Sequence, residues 1–250
     1  QITEDAIDHA HGLLQNTATQ ISGELQIVEA TLKQSVWIVE KNLSTPDSLR
    51  DILTAIVKNN SLIVGSGIAF IPEYYKEKGK YFMPYAFSIN EGEEEIINFL
   101  KLGGADYDYP CMDWYLIPKL LKKSYWSEPY YDTGGGNTIM STYSLPLCNQ
   151  QGEVYAIFTA NISLSRFTDM VNELKPYQSS YTFLLSRNGS FLTHPDREKI
   201  MNETIFSVAL SNNDNQEEEI GHNMLDGLTG TAQFDSAKQS SYALYTAIPN

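Results

Sequence analysis

At 250 residues, 42% hydrophobic and 12% aromatic, the chain can bury a substantial core as one large or two small domains. Seventeen basic residues against thirty-one acidic ones leave a formal net charge of −14, which repels phosphate backbones and anionic headgroups and excludes nucleic acid as an expected partner. No apolar run approaches the roughly 18 to 20 residues that a membrane-spanning helix needs.

In chain order, Ile7, His11, Leu14, Ala18, Ile21, Leu25, Val28, Leu32, Val36, Val39 and Leu43 recur every three or four residues. This is the stripe of one long helix over 1–45, stopped at Ser44-Thr45-Pro46 and about 55 Å long at about 1.5 Å per residue. The near-heptad spacing fits packing against the chain's own domain and also a homodimer seam along the N-terminal helix. PDSLRDILTAIVKNN then reads as a shorter helix.

From Leu62 the period changes. LIVGSGIAFI, KYFMPYAFSI, STYSLPLCN and EVYAIFTANISL read as four strands, the last two joined through NQQGE. SRFTDMVNELK reads as a helix ended by Pro176, and SYTFLLSRNGSFLTH as two strands joined at Asn188-Gly189. GTAQF and SSYALYTAI supply two more strands, and SNNDNQEEEIGHN ahead of them reads as a solvated loop. The expected class is α+β: a stalk helix at 1–45, a first module at 46–165, a linker helix at 166–178 and a smaller module at 179–250. The first residues are already helical and the last lie inside a strand, so both ends read as cuts from a longer protein, with membrane spans expected just outside.

Catalytic signals are missing. No G-x-S-x-G, H-E-x-x-H, Walker or C-x-x-C pattern occurs, and neither a cofactor nor an enzymatic activity is expected. His194 in THPDRE has no nominated nucleophile, and a role ending a strand and capping the next helix is the simpler reading. The four histidines at 9, 11, 194 and 222 lack metal-ligand spacing, and Asp106, Asp108 and Asp113 do not fit a calcium loop. Gly134-Gly135-Gly136 runs into a strand rather than a phosphate-binding helix. Cys111 and Cys148 either form one bridge or are two separately buried thiols.

What remains is DWYLIPKLLKKSYWSEPYYDTGGGNT, residues 113–138, crowded with tyrosine and tryptophan. Aromatics of this kind either wall a small-molecule pocket or cover a sheet as a surface flap. The longer string DYDYPCMDWYLIPKLLKKSYWSEPYYD, followed by STYSLPL and GEVYAIFTANISLSRF, resembles the double Cache family of extracytoplasmic sensor domains. The marks are Trp114-Tyr115, Trp126-x-x-Pro129-Tyr130-x-Asp132 and the Gly152-Glu153-Val154 hairpin, and with the long helix and the LLSRNGSFLTHPDRE hairpin the resemblance covers nearly the whole chain.

The resemblance implies two PAS-like (Cache) modules with antiparallel sheets on a long helix, forming the periplasmic or extracellular portion of an inner-membrane protein. It places a small-molecule ligand in the membrane-distal module and the output, a histidine kinase, chemoreceptor signalling domain, cyclic-nucleotide enzyme or phosphatase, outside this chain. A subset of the family binds amino acids through a tyrosine, an arginine, a Trp-Tyr pair, a second tyrosine and an aspartate. Tyr107, Trp114, Tyr115 and Tyr130 match that set, while Met112 stands at the arginine's place and Asn161 at the aspartate's. Without those two charges a zwitterion faces a desolvation cost of several kcal/mol, so ordinary α-amino acids are expected to bind poorly. A neutral or weakly polar ring or sugar-like metabolite suits the aromatics and the Asn161 amide. Asp132 leaves an amine open, or else it is a structural acid that fixes the glycine loop. The rival readings are a protein-interaction module with an exposed aromatic patch and, more remotely, a hydrolase using His194.

Overall fold

The structure, a computed structural model, describes residues 4–91, 94–104, 107–132, 138–212, 214–236 and 239–249. The chain divides into two compact units, Gln26–Ser163 and a second made of Gln1–Leu25 with Leu164–Asn250. The long helix α1 (Glu4–Lys41) is as periodic as its sequence, and it contributes its first part to the second unit and the remainder to the first. Ala18, Ile21, Val28, Leu32 and Val39 of its stripe are buried within the chain, so these positions serve intramolecular packing. Trp37 and Ile27, off the stripe, are exposed.

In Gln26–Ser163, α2 (Leu49–Asn59) buries Leu49, Leu53, Ile56 and Val57 against the strands β1 (Gly65–Phe70), β2 (Met83–Glu91) and β3 (Glu94–Leu102). Next come α3 (Asp113–Leu121), the two-residue strands β4 (Tyr125–Trp126) and β5 (Tyr130–Tyr131), and the long strands β6 (Ile139–Cys148) and β7 (Val154–Ser163). They form one seven-stranded sheet in the order β3-β2-β1-β7-β6-β4, with β5 also paired to β6, and every pairing is antiparallel.

Where four strands were expected, the structure has seven. The missed β3 contains the acid-rich EEIINF, an edge strand whose sequence lacks clean apolar–polar alternation. The missed β4 and β5 are too short to carry any period. The α3 helix forms despite a buried Pro118 in its interior, whose missing N–H leaves the Trp114 carbonyl without its i→i+4 donor.

The other unit holds α4 (Ser165–Glu173), the hairpin β8 (Leu184–Leu185) and β9 (Phe191–Thr193), helices α5 (Ile205–Asn212) and α6 (Asn215–Leu225), and the hairpin β10 (Gly230–Ser236) and β11 (Gln239–Tyr245). Of the acidic stretch SNNDNQEEEIGHN, read as a loop, Ser211 and Asn212 close α5 and residues 215–223 lie in α6. Asp214 caps α6 by accepting from the Gln216 and Glu217 amides at 2.9 and 3.1 Å, and Glu217 and Glu218 lie in the first turn, where the helix dipole favours negative charge.

His194 follows β9 as expected. Its Nδ1 accepts from the Asp196 amide at 2.9 Å, and Asp196 in turn caps a short 3-10 turn at Arg197–Lys199. Cys111 and Cys148 are both free and exposed, which corrects both the bridge and the buried-thiol alternatives. The glycine triplet and Asp106 lie outside the described residues.

The two faces of α1 predict opposite mutational costs. Leu32→Ala should lower unfolding free energy by about 2–5 kcal/mol, because it leaves a cavity under the helix. Trp37→Ala, at a side chain 64% exposed, should change it by no more than about 0.5 kcal/mol. Chemical denaturation of the two variants measures the difference.

Candidate ligand-binding site

Cross-strand register sets the floor of the site. Gly67 pairs with Tyr85 and Thr159, Gly65 with Phe87 and Asn161, Thr142 with Asn161, and Ser144 with Thr159. Directly paired residues share a sheet face, so these side chains form one patch across β2, β1, β7 and β6. Ser144, Thr142, Thr159 and Asn161 are all buried, so a band of small polar groups runs through an otherwise apolar core. Thr159 Oγ1 donates to the Gly67 carbonyl at 3.1 Å, and Asn161 Nδ2 donates to Met140 Sδ at 2.9 Å and to the Tyr85 hydroxyl at 3.4 Å. Among the described residues, Ser144 Oγ and Asn161 Oδ1 are buried without a hydrogen-bond partner.

The walls come from the segment between β3 and β6. A short 3-10 turn at Tyr109–Cys111 leads into α3, whose first turn delivers Trp114 and Tyr115 into a core cluster with Tyr85, Tyr109, Met83, Ala69 and Ile157. Tyr109 is structural: its hydroxyl donates to the Phe70 carbonyl at 2.6 Å and accepts from the Phe82 amide at 3.3 Å. Tyr107 and Tyr130 pack on the same cluster. Against the effect of burial, Trp114 lowers the pKa of the Tyr107 phenol, while the Tyr130 and Thr142 hydroxyls lie 2.7 Å apart, tying wall to floor.

Asp132 closes this wall and is only 6% exposed. Its charge acts on three phenols. Burial first, and then the Asp132 carboxylate, push Tyr107 up to about 12. Burial likewise raises Tyr85 well above its ordinary value, with Asp132, Tyr130 and Tyr107 adding to the shift. Tyr130 is raised by burial, opposed by its Thr142 bond, with smaller contributions from Tyr107 and Asp132. Burial pushes Tyr115 up to about 12, and its hydroxyl has no protein partner among the described residues. All four tyrosines therefore remain neutral hydrogen-bonding groups at physiological pH, beside one carboxylate.

The structure thus brings together Tyr107, Trp114, Tyr115, Tyr130, Asp132 and Asn161. Met112 is the exception. It is the N-cap of α3 and 39% exposed, and the i, i+4 register continues through exposed Leu116 and Leu120, away from buried Trp114 and Tyr115. The structure places it on the outer face of the helix, apart from the other residues of the expected ligand set. Tyr85 was not anticipated, although glycines at alternate positions of a strand signal that something approaches its backbone closely.

Trp126 turns to the other face of the sheet. Its indole donates to Glu29 Oε1 of α1 at 3.0 Å, its ring lies 5.2 Å from that of Tyr143, and Glu29 is also paired with Lys33 at 2.9 Å. The Trp126-x-x-Pro129-Tyr130-x-Asp132 element therefore holds α1 at one end and lines the site at the other.

A seven-stranded antiparallel sheet with an aromatic and carboxylate-lined wall beside α3 is the architecture of a sensor domain of the PDC or Cache type. Residues 49–169 match the family described as "Methyl-accepting chemotaxis protein-like, first PDC sensor domain". It is 27% identical over 144 residues, 58% of its length, to the methyl-accepting chemotaxis protein PscA of Pseudomonas syringae pv. tomato, of which the match spans 21%. PctB of Pseudomonas aeruginosa is 28% identical over 97 residues, 39% of this chain and 15% of that one. The chain therefore spans about a fifth or less of these receptors.

Among solved structures, the extracellular domain of the histidine kinase mmHK1S-Z3 superposes with a TM-score of 0.82 at 20% identity, covering 98% of this chain and 91% of that one. The PctB ligand-binding domain in complex with L-Arg gives 0.67 at 15% identity, covering 99% and 91%.

The raised phenols carry a pH signature. A group whose folded pKa is raised contributes stability that is complete below its unfolded value and is lost as pH climbs through the folded one. For Tyr107 and Tyr115 the window runs from an ordinary value of 10.0 to about 12. Stability should fall across that interval, and Asp132→Asn should move Tyr107 back towards its ordinary value by removing a charge that opposes the phenolate. Spectrophotometric tyrosine titration alongside melting curves reads both effects.

Proposed function

We propose that this chain is the signal-input domain of a membrane-anchored receptor and that its first module binds a small organic amine, with Asp132 as the counter-charge. The observation that carries the reading is a carboxylate buried among the hydroxyls of Tyr85, Tyr107 and Tyr130. A ligand ammonium in that position makes a charge-assisted hydrogen bond, and the faces of neighbouring aromatic rings add cation–π attraction. The neutral phenols supply further hydrogen bonds.

The same surroundings argue against a free α-amino acid. The chain has four arginines. Arg50 lies over the Phe99 ring and Arg166 is paired with Glu24, while Arg187 and Arg197 follow β8 in the other unit. Arg50, the one arginine within Gln26–Ser163, is thus turned to the Phe99 ring. PctB, solved with L-Arg, shares the fold, but the position that the resemblance assigns to the aspartate carries Asn161 here.

Burial of Trp114, 4% exposed, and of Tyr115 supports a pocket over an exposed interaction patch. Signalling follows if the amine prefers one conformation of the module, since equal affinity for two states shifts neither. Output, membrane spans and any homodimer along α1 belong to the rest of the receptor in this reading.

Thermal melting with n-propylamine, n-propanol and L-alanine tests the proposal. The amine at 100 times its dissociation constant should stabilise the native chain by about 2.7 kcal/mol, the alcohol and amino acid far less. Asp132→Asn and Trp114→Ala should each abolish the amine response. Equal responses in the native chain and Asp132→Asn, or a preference for L-alanine, would sink it.

A further inference from the structure

Tyr85 occupies an unusual place for a strand residue. Its ring runs from its register partner Gly67 back over Gly65. A Cβ built on Gly65 would collide with the Tyr85 hydroxyl and come within 2.9 Å of Cζ, and one on Gly67 would meet Cδ2 at 2.9 Å. Real Cβ atoms do not come that close, so β1 needs glycine at both positions for the ring to lie down. Two absent side chains make a recess in the sheet, filled by the Tyr85 ring and, over Gly67, also by the Met83 methyl, whose Cε would lie 2.8 Å from a Cβ there.

The ring is also fixed in place. Phe87 stacks on it at 5.6 Å with planes 15° apart, and Asn161 Nδ2 donates to its hydroxyl at 3.4 Å. Its hydroxyl end shares the field of Asp132, Tyr107 and Tyr130. A ligand whose nitrogen meets Asp132 therefore has the Tyr85 ring among its neighbours, backed by main chain that cannot retreat.

We propose that Tyr85 is the specificity-determining residue of the pocket, a stop over the Gly65–Gly67 recess that limits the ligand to short primary amines. The inference rests on the amine reading above and adds a length limit to it. An apolar pocket discriminates by about 10–200-fold for a methylene that does not fit, and a rigid ring backed by a sheet is the kind of wall that enforces such a limit.

The experiment measures dissociation constants of methylamine, n-propylamine and n-hexylamine for the native chain, Tyr85→Ala, Tyr85→Phe and Asp132→Asn. The native chain should bind n-propylamine at least about tenfold more tightly than n-hexylamine. Tyr85→Ala should reverse that order by opening the recess, whereas Tyr85→Phe should keep the native order. If Tyr85→Ala does not fold, Tyr85→Leu, which still covers the glycines but shortens the side chain, should relax the limit in the same direction. An unchanged order in a folded Tyr85→Ala or Tyr85→Leu, with amine binding still lost in Asp132→Asn, overturns the role of Tyr85 alone. Absence of amine binding by the native chain overturns the amine reading, and this proposal with it.

Discussion

The period-two alternation of β6 is the constraint on which the Gln26–Ser163 unit turns. Thr142 faces one way, with its hydroxyl 2.7 Å from that of Tyr130, and Tyr143 faces the other, with its ring beside Trp126 and 5.8 Å below Lys33 of α1. One strand thus separates a ligand-facing surface from a helix-facing surface, and a one-residue slip would exchange them. The flanking segment repeats the division. Ser127 is bonded to β6 through its own amide and hydroxyl, at 2.9 and 3.0 Å from Thr142, with Trp126 on one side of it and Tyr130 and Asp132 on the other. Displacement of Tyr130 or Asp132 would therefore load a short, hydrogen-bonded segment whose far end grips Glu29.

Burying a carboxylate among phenols has an energetic cost, which the protein offsets locally. Each phenol stays protonated because burial and the nearby negative charge both oppose the phenolate, leaving its O–H available as a donor. The polar band of Thr142, Ser144, Thr159 and Asn161 works in the same sense, since side chains of this size interrupt the apolar core without opening the sheet. Hydrophobic packing outside the band, from Phe70, Phe158, Leu53 and Ile68, holds the frame against which these polar groups are aligned.

Much of this was legible in the sequence, and the failures have physical causes. The stripe of α1 survived intact because a regular three- and four-residue spacing has one simple solution, and β6 and β7 were visible as long β-branched runs. The acidic α6 was hidden because its charge is solvated around a capped helix start, so polarity imitated a loop. Edge strand β3 was masked by glutamates, and β4 and β5 by their length. Within the site, Trp114, Tyr115 and Tyr130 announced themselves by composition. The outward side of Met112 was not legible because sequence order does not say which side of a helix a residue takes, and Tyr85 was overlooked because its partner is an absence of side chain at Gly65 and Gly67.

The central claim is that the Asp132 carboxylate, set among Tyr85, Tyr107 and Tyr130, receives a ligand ammonium. The most direct measurement is a crystal structure of the chain with n-propylamine bound. The account predicts the amine nitrogen within about 3 Å of an Asp132 carboxylate oxygen, with the alkyl chain against aromatic faces and ending at Tyr85. An amine bound elsewhere, or one whose nitrogen points away from Asp132, would contradict it.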